Sequence, residues 1–169
     1  MRKVWVRLAL VGGLALSNIC QAAADDRADT LKALIRAKAG IETGVTASEF
    51  AVMVRQIDEQ VQLARATKSR DLTQAQLEAT AAASEHLKRV LTLWSYLLTA
   101  RQCFVQGEYS ISDPSCQKEL IYRLGLVDLK LDETIDAKAA AVTMKSIMGP
   151  AFEKAHQRVS SVIGLLAAR

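Results

Sequence analysis

The chain has 169 residues, of which 50% are hydrophobic and 24% are charged. This composition is typical of one globular domain, and with only 2 prolines and 8 glycines it excludes a disordered or collagen-like chain. A formal net charge of +4 would favour an acidic partner if the positive charge lay in the folded protein.

The first 24 residues are predicted to be a secretory signal peptide. The first seven residues include basic side chains and no acidic ones, and residues 8–20 are almost entirely apolar. Ala22 and Ala24 occupy the positions of an A-x-A cleavage site. We expect cleavage after Ala24, with cleavage after Ala22 as the alternative. The apolar run of about 13 residues is too short for a stable membrane span, which needs about 20, so a periplasmic or secreted protein is predicted.

Removal of the signal peptide changes the charge. Loss of 24 of the 169 residues leaves 145, and loss of three of the 22 basic residues leaves 19 against 18 acidic ones, a net charge of +1. A nucleic-acid-binding surface requires a stripe of basic residues, and the remaining sequence contains none. No nucleic-acid partner is therefore predicted.

Two cysteines remain in the mature chain, because Cys20 leaves with the signal peptide. Cys103 and Cys116 are predicted to form a disulfide, since an exported protein folds in an oxidising compartment. The alternative is two free thiols. A metal site is not predicted, because no C-x-x-C motif is present and neither histidine is near the cysteines in sequence.

The mature chain is predicted to be helical throughout, since no segment alternates apolar and polar residues for long enough to form a strand. A first helix is predicted over residues 27–39, ending at Gly40. A second runs to about Lys68 after a capping box formed by Thr46 and Glu49.

The third predicted helix is the longest. It begins at a second capping box, Thr73 with Gln76, and no helix breaker follows until Gly107. Its second half, residues 90–100, is apolar on nearly all sides, which is typical of a buried central helix.

Three further helices are predicted over residues 114–125, 128–148 and 150–167. Asp113 is the predicted N-cap of the first, and the Gly149-Pro150 pair is predicted to separate the last two. Residues 25–169 are thus expected to form a single all-α domain, an antiparallel bundle of five or six helices.

Residues 72–76, with the sequence Leu-Thr-Gln-Ala-Gln, resemble the L-T-x-x-Q motif of small helical periplasmic chaperones of the envelope stress response. That family carries the motif twice, whereas this chain carries it once. The resemblance covers five residues and implies a helical protein that binds other proteins in the periplasm.

Motifs of the common enzyme and cofactor sites are missing from the sequence. It contains no P-loop, no G-x-G-x-x-G, no G-x-S-x-G, no H-E-x-x-H and no C-x-x-C-H. No catalytic, cofactor-binding or metal-binding residue is therefore predicted, and no cofactor.

These observations favour a non-enzymatic protein that binds a protein partner in the cell envelope: a chaperone, a secretion or envelope accessory factor, or an immunity protein that neutralises a toxin. The predicted recognition element is the disulfide-bounded loop of residues 106–115. Its candidate contact residues are Glu108, Tyr109, Ile111 and Asp113.

Two alternatives remain open. One is an enzyme whose polar site is assembled between helices, with Arg101, Lys118, Glu119 or Arg123 pointing into a cavity beside Trp94. The other is a carrier that holds a small ligand in an apolar cavity between helices.

Overall fold

A computed structural model describes residues 25–134 and 139–168, so the predicted signal peptide lies outside the described residues. The described chain is mostly helical, as predicted. The helices are α1 (Asp26–Thr43), α2 (Ala47–Thr67), α3 (Gln74–Thr99), α4 (Pro114–Leu126), α5 (Leu131–Thr134) and α6 (Met144–Ala167). The strands are β1 (Phe104–Val105), β2 (Glu108–Ser110) and β3 (Ala141–Thr143), and a 3₁₀ turn covers Arg101–Cys103.

Four long helices surround the core. Helix α1 packs against α2 and α6, and α3 packs against the same two helices, so the four form a closed ring of contacts. Fully buried side chains from each helix meet inside the ring, among them Leu34, Phe50, Val90 and Val159. Burial of this apolar surface is the main force that holds the helices together.

Both capping boxes are present and confirm the predicted starts of α2 and α3. The Thr46 hydroxyl accepts a hydrogen bond from the Glu49 amide, and the Glu49 carboxylate accepts one from the Thr46 amide. Thr73 and Gln76 make the same exchange at α3. Each box satisfies backbone donors that the first helical turn leaves without a partner.

The prediction that α1 ends at Gly40 is wrong. Gly40 lies inside the helix and is buried beneath Met53 of α2, whose sulfur would come within 2.8 Å of a side-chain carbon at this position. The glycine therefore permits close helix packing. The helix ends at Gly44, whose φ of 83° favours glycine.

The prediction of an all-helical chain is wrong after α3. The helix ends at Thr99, well before Gly107, and a three-stranded antiparallel sheet in the order β1-β2-β3 follows. Phe104 pairs with Tyr109, and Tyr109 pairs with Val142. This sheet buries Tyr109 and Val142, and burial of these side chains outweighs the helix propensity of the segment.

The prediction of one helix over 128–148 is also wrong, whereas residues 150–167 are helical as predicted. Between residues 128 and 148, the described residues include the short α5, strand β3 and the start of α6. The predicted break at Gly149-Pro150 is wrong as well. Helix α6 begins at Met144, capped by the Thr143 hydroxyl, and continues through Gly149 and Pro150. Buried Ile147 and Ala151 on either side of the proline hold the segment in the core, and this packing outweighs the lost hydrogen bond.

Candidate functional site

The two cysteines meet at one end of the molecule, as predicted. Their sulfur atoms lie 2.09 Å apart, at disulfide-bonding distance, and both residues are buried. Cys103 ends the 3₁₀ turn after α3, and Cys116 lies in the first turn of α4. The pair therefore joins the sheet to the start of α4. We call the region from residue 96 to residue 123 the disulfide end.

Tyr109 is completely buried, so the prediction that it is an exposed contact residue is wrong. Its hydroxyl donates to the Cys116 carbonyl at 2.8 Å and lies 2.6 Å from the Tyr96 hydroxyl. Burial raises the pKa of Tyr109 well above its ordinary range. Tyr109 thus holds the loop to α3 and α4.

The other predicted contact residues divide between surface and interior. Glu108 is exposed in β2, opposite Val105 on one side and Thr143 on the other. Ile111 is buried in the core, which contradicts its predicted exposure. Asp113 is exposed but already serves as N-cap of α4, accepting bonds from the amides of Ser115 and Cys116.

The exposed part of the loop is a tight hairpin tip. Gln106 and Gly107 join β1 to β2 with φ values of 52° and 87°, the left-handed geometry of a two-residue hairpin turn. Val105, just before the turn, is 61% exposed. A two-residue loop that contains Gly107 between aromatic and β-branched residues is the sequence signal that could have predicted this hairpin.

Aromatic rings and one guanidinium form a continuous row across the disulfide end, which we call the aromatic ladder: Phe104, Tyr109, Tyr96, Arg123 and Tyr122. The first two rings lie 5.3 Å apart edge to face, and the next two 6.4 Å apart. The Arg123 guanidinium lies 5.1 Å from the Tyr96 ring and 5.7 Å from the Tyr122 ring. Sequence reasoning missed this row, because its members come from four separate elements, β1, β2, α3 and α4.

The four charged residues proposed for an enzyme site do not come together beside Trp94. Arg101 and Lys118 are exposed. Arg123 donates to Glu119 at 2.7 Å, a pairing of residues four apart on one helix. Trp94 packs instead against Phe50 and Phe152, with ring centres 6.0 and 5.2 Å away. The arrangement expected for the enzyme is not present among these residues.

The two histidines lie in separate places. His86 is buried in α3, whereas His156 of α6 lies 2.8 Å from the Glu42 carboxylate in a small cleft between α1 and α6. Within residues 25–134 and 139–168, no three or more His, Cys, Asp or Glu side chains come together in a way that could hold a metal ion.

Comparison with protein-family models, with curated proteins and with solved structures finds no match to this chain. Among the described residues, none of the helices combines the length and apolar character that crossing a membrane requires. The arrangement of the disulfide end is therefore the main guide to function.

Proposed function

We propose that this chain is an exported, non-enzymatic helical bundle that binds another protein of the cell envelope through its disulfide end. The closed ring of contacts among the four long helices supports the bundle. The N-terminal pattern of basic, apolar and small residues supports export. A cysteine pair at bonding distance suits an oxidising compartment such as the periplasm.

The aromatic ladder is the observation that carries the proposal. Tyrosine and arginine are enriched where proteins bind one another, because they offer a large contact area together with hydrogen bonds. Tyr122, the outer ring of the ladder, is 59% exposed. Arg123 stacks on it, is hydrogen-bonded to Glu119 and is only partly exposed, so little side-chain entropy remains to be lost on binding.

The hairpin tip of the disulfide end exposes a second apolar side chain. Val105 and Tyr122 are the two most exposed large hydrophobic side chains among the described residues, and both belong to the disulfide end. The disulfide and the two bonds of Tyr109 hold the hairpin that carries Val105. A partner with an apolar surface for Tyr122 and an acceptor for Arg123 fits the outer end of the ladder.

Site-specific photo-crosslinking in the native cell envelope tests the binding site. A photoreactive amino acid replaces Tyr122 in one variant and Leu165 in another; Leu165 is a comparably apolar, exposed residue of α6. We expect one discrete crosslinked species from position 122, identified by mass spectrometry, and its loss when Arg123→Ala is added. Equal crosslinking at both positions, or none at position 122, would contradict the proposal.

Fractionation of cells that express the full chain tests export separately. The protein is expected in the periplasmic or extracellular fraction with Asp25 as its first residue, or Ala23 if cleavage follows Ala22. A cytoplasmic protein that retains Met1 would disprove export and would leave the crosslinking result interpretable.

A further inference from the structure

The connection after α4 has a backbone conformation that its residue type does not favour. Asp128 has a φ of 58°, in the left-handed region, at a position where helices commonly end on glycine. The Asp128 amide donates to the Gly125 carbonyl and the Leu129 amide donates to the Leu124 carbonyl, which are the two bonds of a Schellman cap. An aspartate in this conformation is strained relative to glycine, and contacts of the residue with α6 offset the cost.

Asp128 attaches the end of α4 to α6. Its carboxylate accepts a hydrogen bond from the Arg158 guanidinium, and its carbonyl accepts one from the Lys154 ammonium. The two donors are four residues apart and so lie on one face of α6. The start of α4 is held by the disulfide and by the Tyr109 hydroxyl, which donates to the Cys116 carbonyl. The helix is therefore fastened at both ends, covalently at Cys116 and by an exposed ion pair at Asp128.

Buried His86 of α3 lies on the turn that faces this attachment. Two contacts fix the register of α3 against α6: the hydrogen bond from Gln76 to the Leu165 carbonyl, and the packing of Trp94 on Phe152. Along α3, His86 is about midway between these contacts, and along α6, Arg158 is about midway between them. The two residues therefore occupy facing turns of antiparallel helices.

The His86 imidazole has a buried polar atom with no partner. Its Nε2 makes no hydrogen bond with any residue in the described part of the chain. The charged groups that act on the imidazole are Arg89 of α3, Lys154 and Arg158 of α6, and Asp128 beyond α4. Three of these are cations, and the one anion is already paired with Arg158. A proton on His86 therefore adds a fourth positive charge, with only Asp128 to compensate it.

We propose that the connection of residues 128–130 is an acid-responsive latch, which is closed while His86 is neutral and opens when His86 takes up a proton. A buried cation without an acceptor is unstable, whereas opening of the connection admits water and allows the Asp128 carboxylate to leave Arg158 for the imidazolium. An exposed ion pair contributes little to stability, so the latch can open while the ring of four long helices stays folded.

The latch reaches the aromatic ladder through α4, which carries Tyr122 and Arg123. Movement of the C-terminal end of α4 would displace the outer part of the ladder, so acid would weaken binding of the proposed partner. This last step alone rests on the proposed function. The latch itself is a property of the isolated protein and is measured without a partner, so the two can fail separately.

Hydrogen–deuterium exchange of the mature, disulfide-containing protein at pH 7 and pH 4.5 tests the latch, with exchange times scaled for the intrinsic effect of pH. We expect peptides that span residues 124–131 to exchange about tenfold faster at pH 4.5, while peptides from the middle of α2 keep their protection. His86→Gln should abolish the difference. Equal loss of protection in α2 would show that acid unfolds the whole protein, and an undiminished loss in His86→Gln would show that another group titrates. Either result would overturn the proposal.

A second variant tests the attachment itself. Arg158→Gln removes the guanidinium that holds the Asp128 carboxylate and also removes a cation that opposes protonation of His86. The latch of this variant should therefore open at a pH higher by about 0.5 unit or more. Arg65→Gln is the matched control, since it removes an exposed cation of α2 and should leave the midpoint unchanged. A midpoint that is unchanged or lower in Arg158→Gln would contradict the latch.

Discussion

At the scale of single residues, His86 is an unusual member of the core. It is 3% exposed, and its Nε2 has no hydrogen-bond partner among the described residues. Burial lowers its pKa to about 4, and the positive charges of Arg158, Lys154 and Arg89 act in the same direction, while Asp128 opposes them. His86 is therefore neutral in the folded protein at neutral pH.

This burial makes the folded state sensitive to acid. The pKa of His86 lies below the ordinary value of 6.5, so the unfolded chain takes up the proton first as the pH falls. The contribution of neutral His86 to the free energy of unfolding is complete above pH 6.5. It is lost progressively as the pH falls through 6.5 towards 4. Each pKa unit corresponds to about 1.4 kcal/mol, so about 2 kcal/mol is expected to be lost between pH 7 and pH 5.

We predict that His86→Gln removes this part of the acid sensitivity, because glutamine does not titrate. Urea unfolding at pH 7 and pH 5 measures how much the free energy of unfolding falls between the two pH values. The difference between the two free energies of unfolding should be about 2 kcal/mol smaller in the variant than in the wild type. Equal differences in the two proteins would show that His86 does not cause the effect.

At the scale of secondary-structure elements, Pro150 is the clearest conflict between local preference and packing. It is the seventh residue of α6, where its ring takes the place of an amide that would donate to the Ser146 carbonyl. The helix continues because Ile147, Met148 and Ala151 are buried around it.

We predict that Pro150→Ala raises the free energy of unfolding by roughly 1–3 kcal/mol, because it restores the hydrogen bond and removes the ring from the helix interior. Gly149→Ala is the control for helix propensity alone. A side-chain carbon at position 149 would meet nothing within 4 Å, so a gain of about 0.5–1 kcal/mol is expected. Chemical denaturation measures both. A Pro150→Ala gain no larger than that of the control would contradict the prediction.

The starts and ends of the helices show which sequence signals are enough to predict a helix boundary. Thr46 and Thr73 start helices that could be predicted, because a capping box acts within four residues of the chain. The ends of α1 and α3 could not be predicted, because they depend on contacts with residues of other elements. Met53 packs over Gly40 and extends α1, and pairing of Tyr109 with Val142 draws residues 104–110 into a sheet.

At the scale of the whole molecule, the disulfide end lies outside the ring of four long helices and packs against it. Its sheet and α4 contact the ring through the end of α3 and through α6, and the cysteine pair closes a loop with a sequence separation of 13 residues. A crosslink of this span reduces the entropy of the unfolded chain by an amount worth about 3 kcal/mol.

We predict that the double variant Cys103→Ala, Cys116→Ala lowers the free energy of unfolding by about 3 kcal/mol while keeping most of the helical circular dichroism, because the ring buries its own core. Urea unfolding with and without a reductant measures the change. The reductant should weaken the wild type to the level of the variant and leave the variant unaffected. A variant as stable as the oxidised wild type would show that the crosslink adds nothing to stability.

The helical character, the starts of α2 and α3 and the cysteine pair can be predicted from the sequence alone, because helix propensity and caps act locally and two cysteines allow one pairing. Contacts in the folded protein are needed to show that Tyr109 and Ile111 are buried, that α6 passes through Pro150, and that five side chains from four elements form the aromatic ladder. Those outcomes depend on contacts between residues distant along the chain, whose burial energy exceeds the small local preferences that a sequence pattern records.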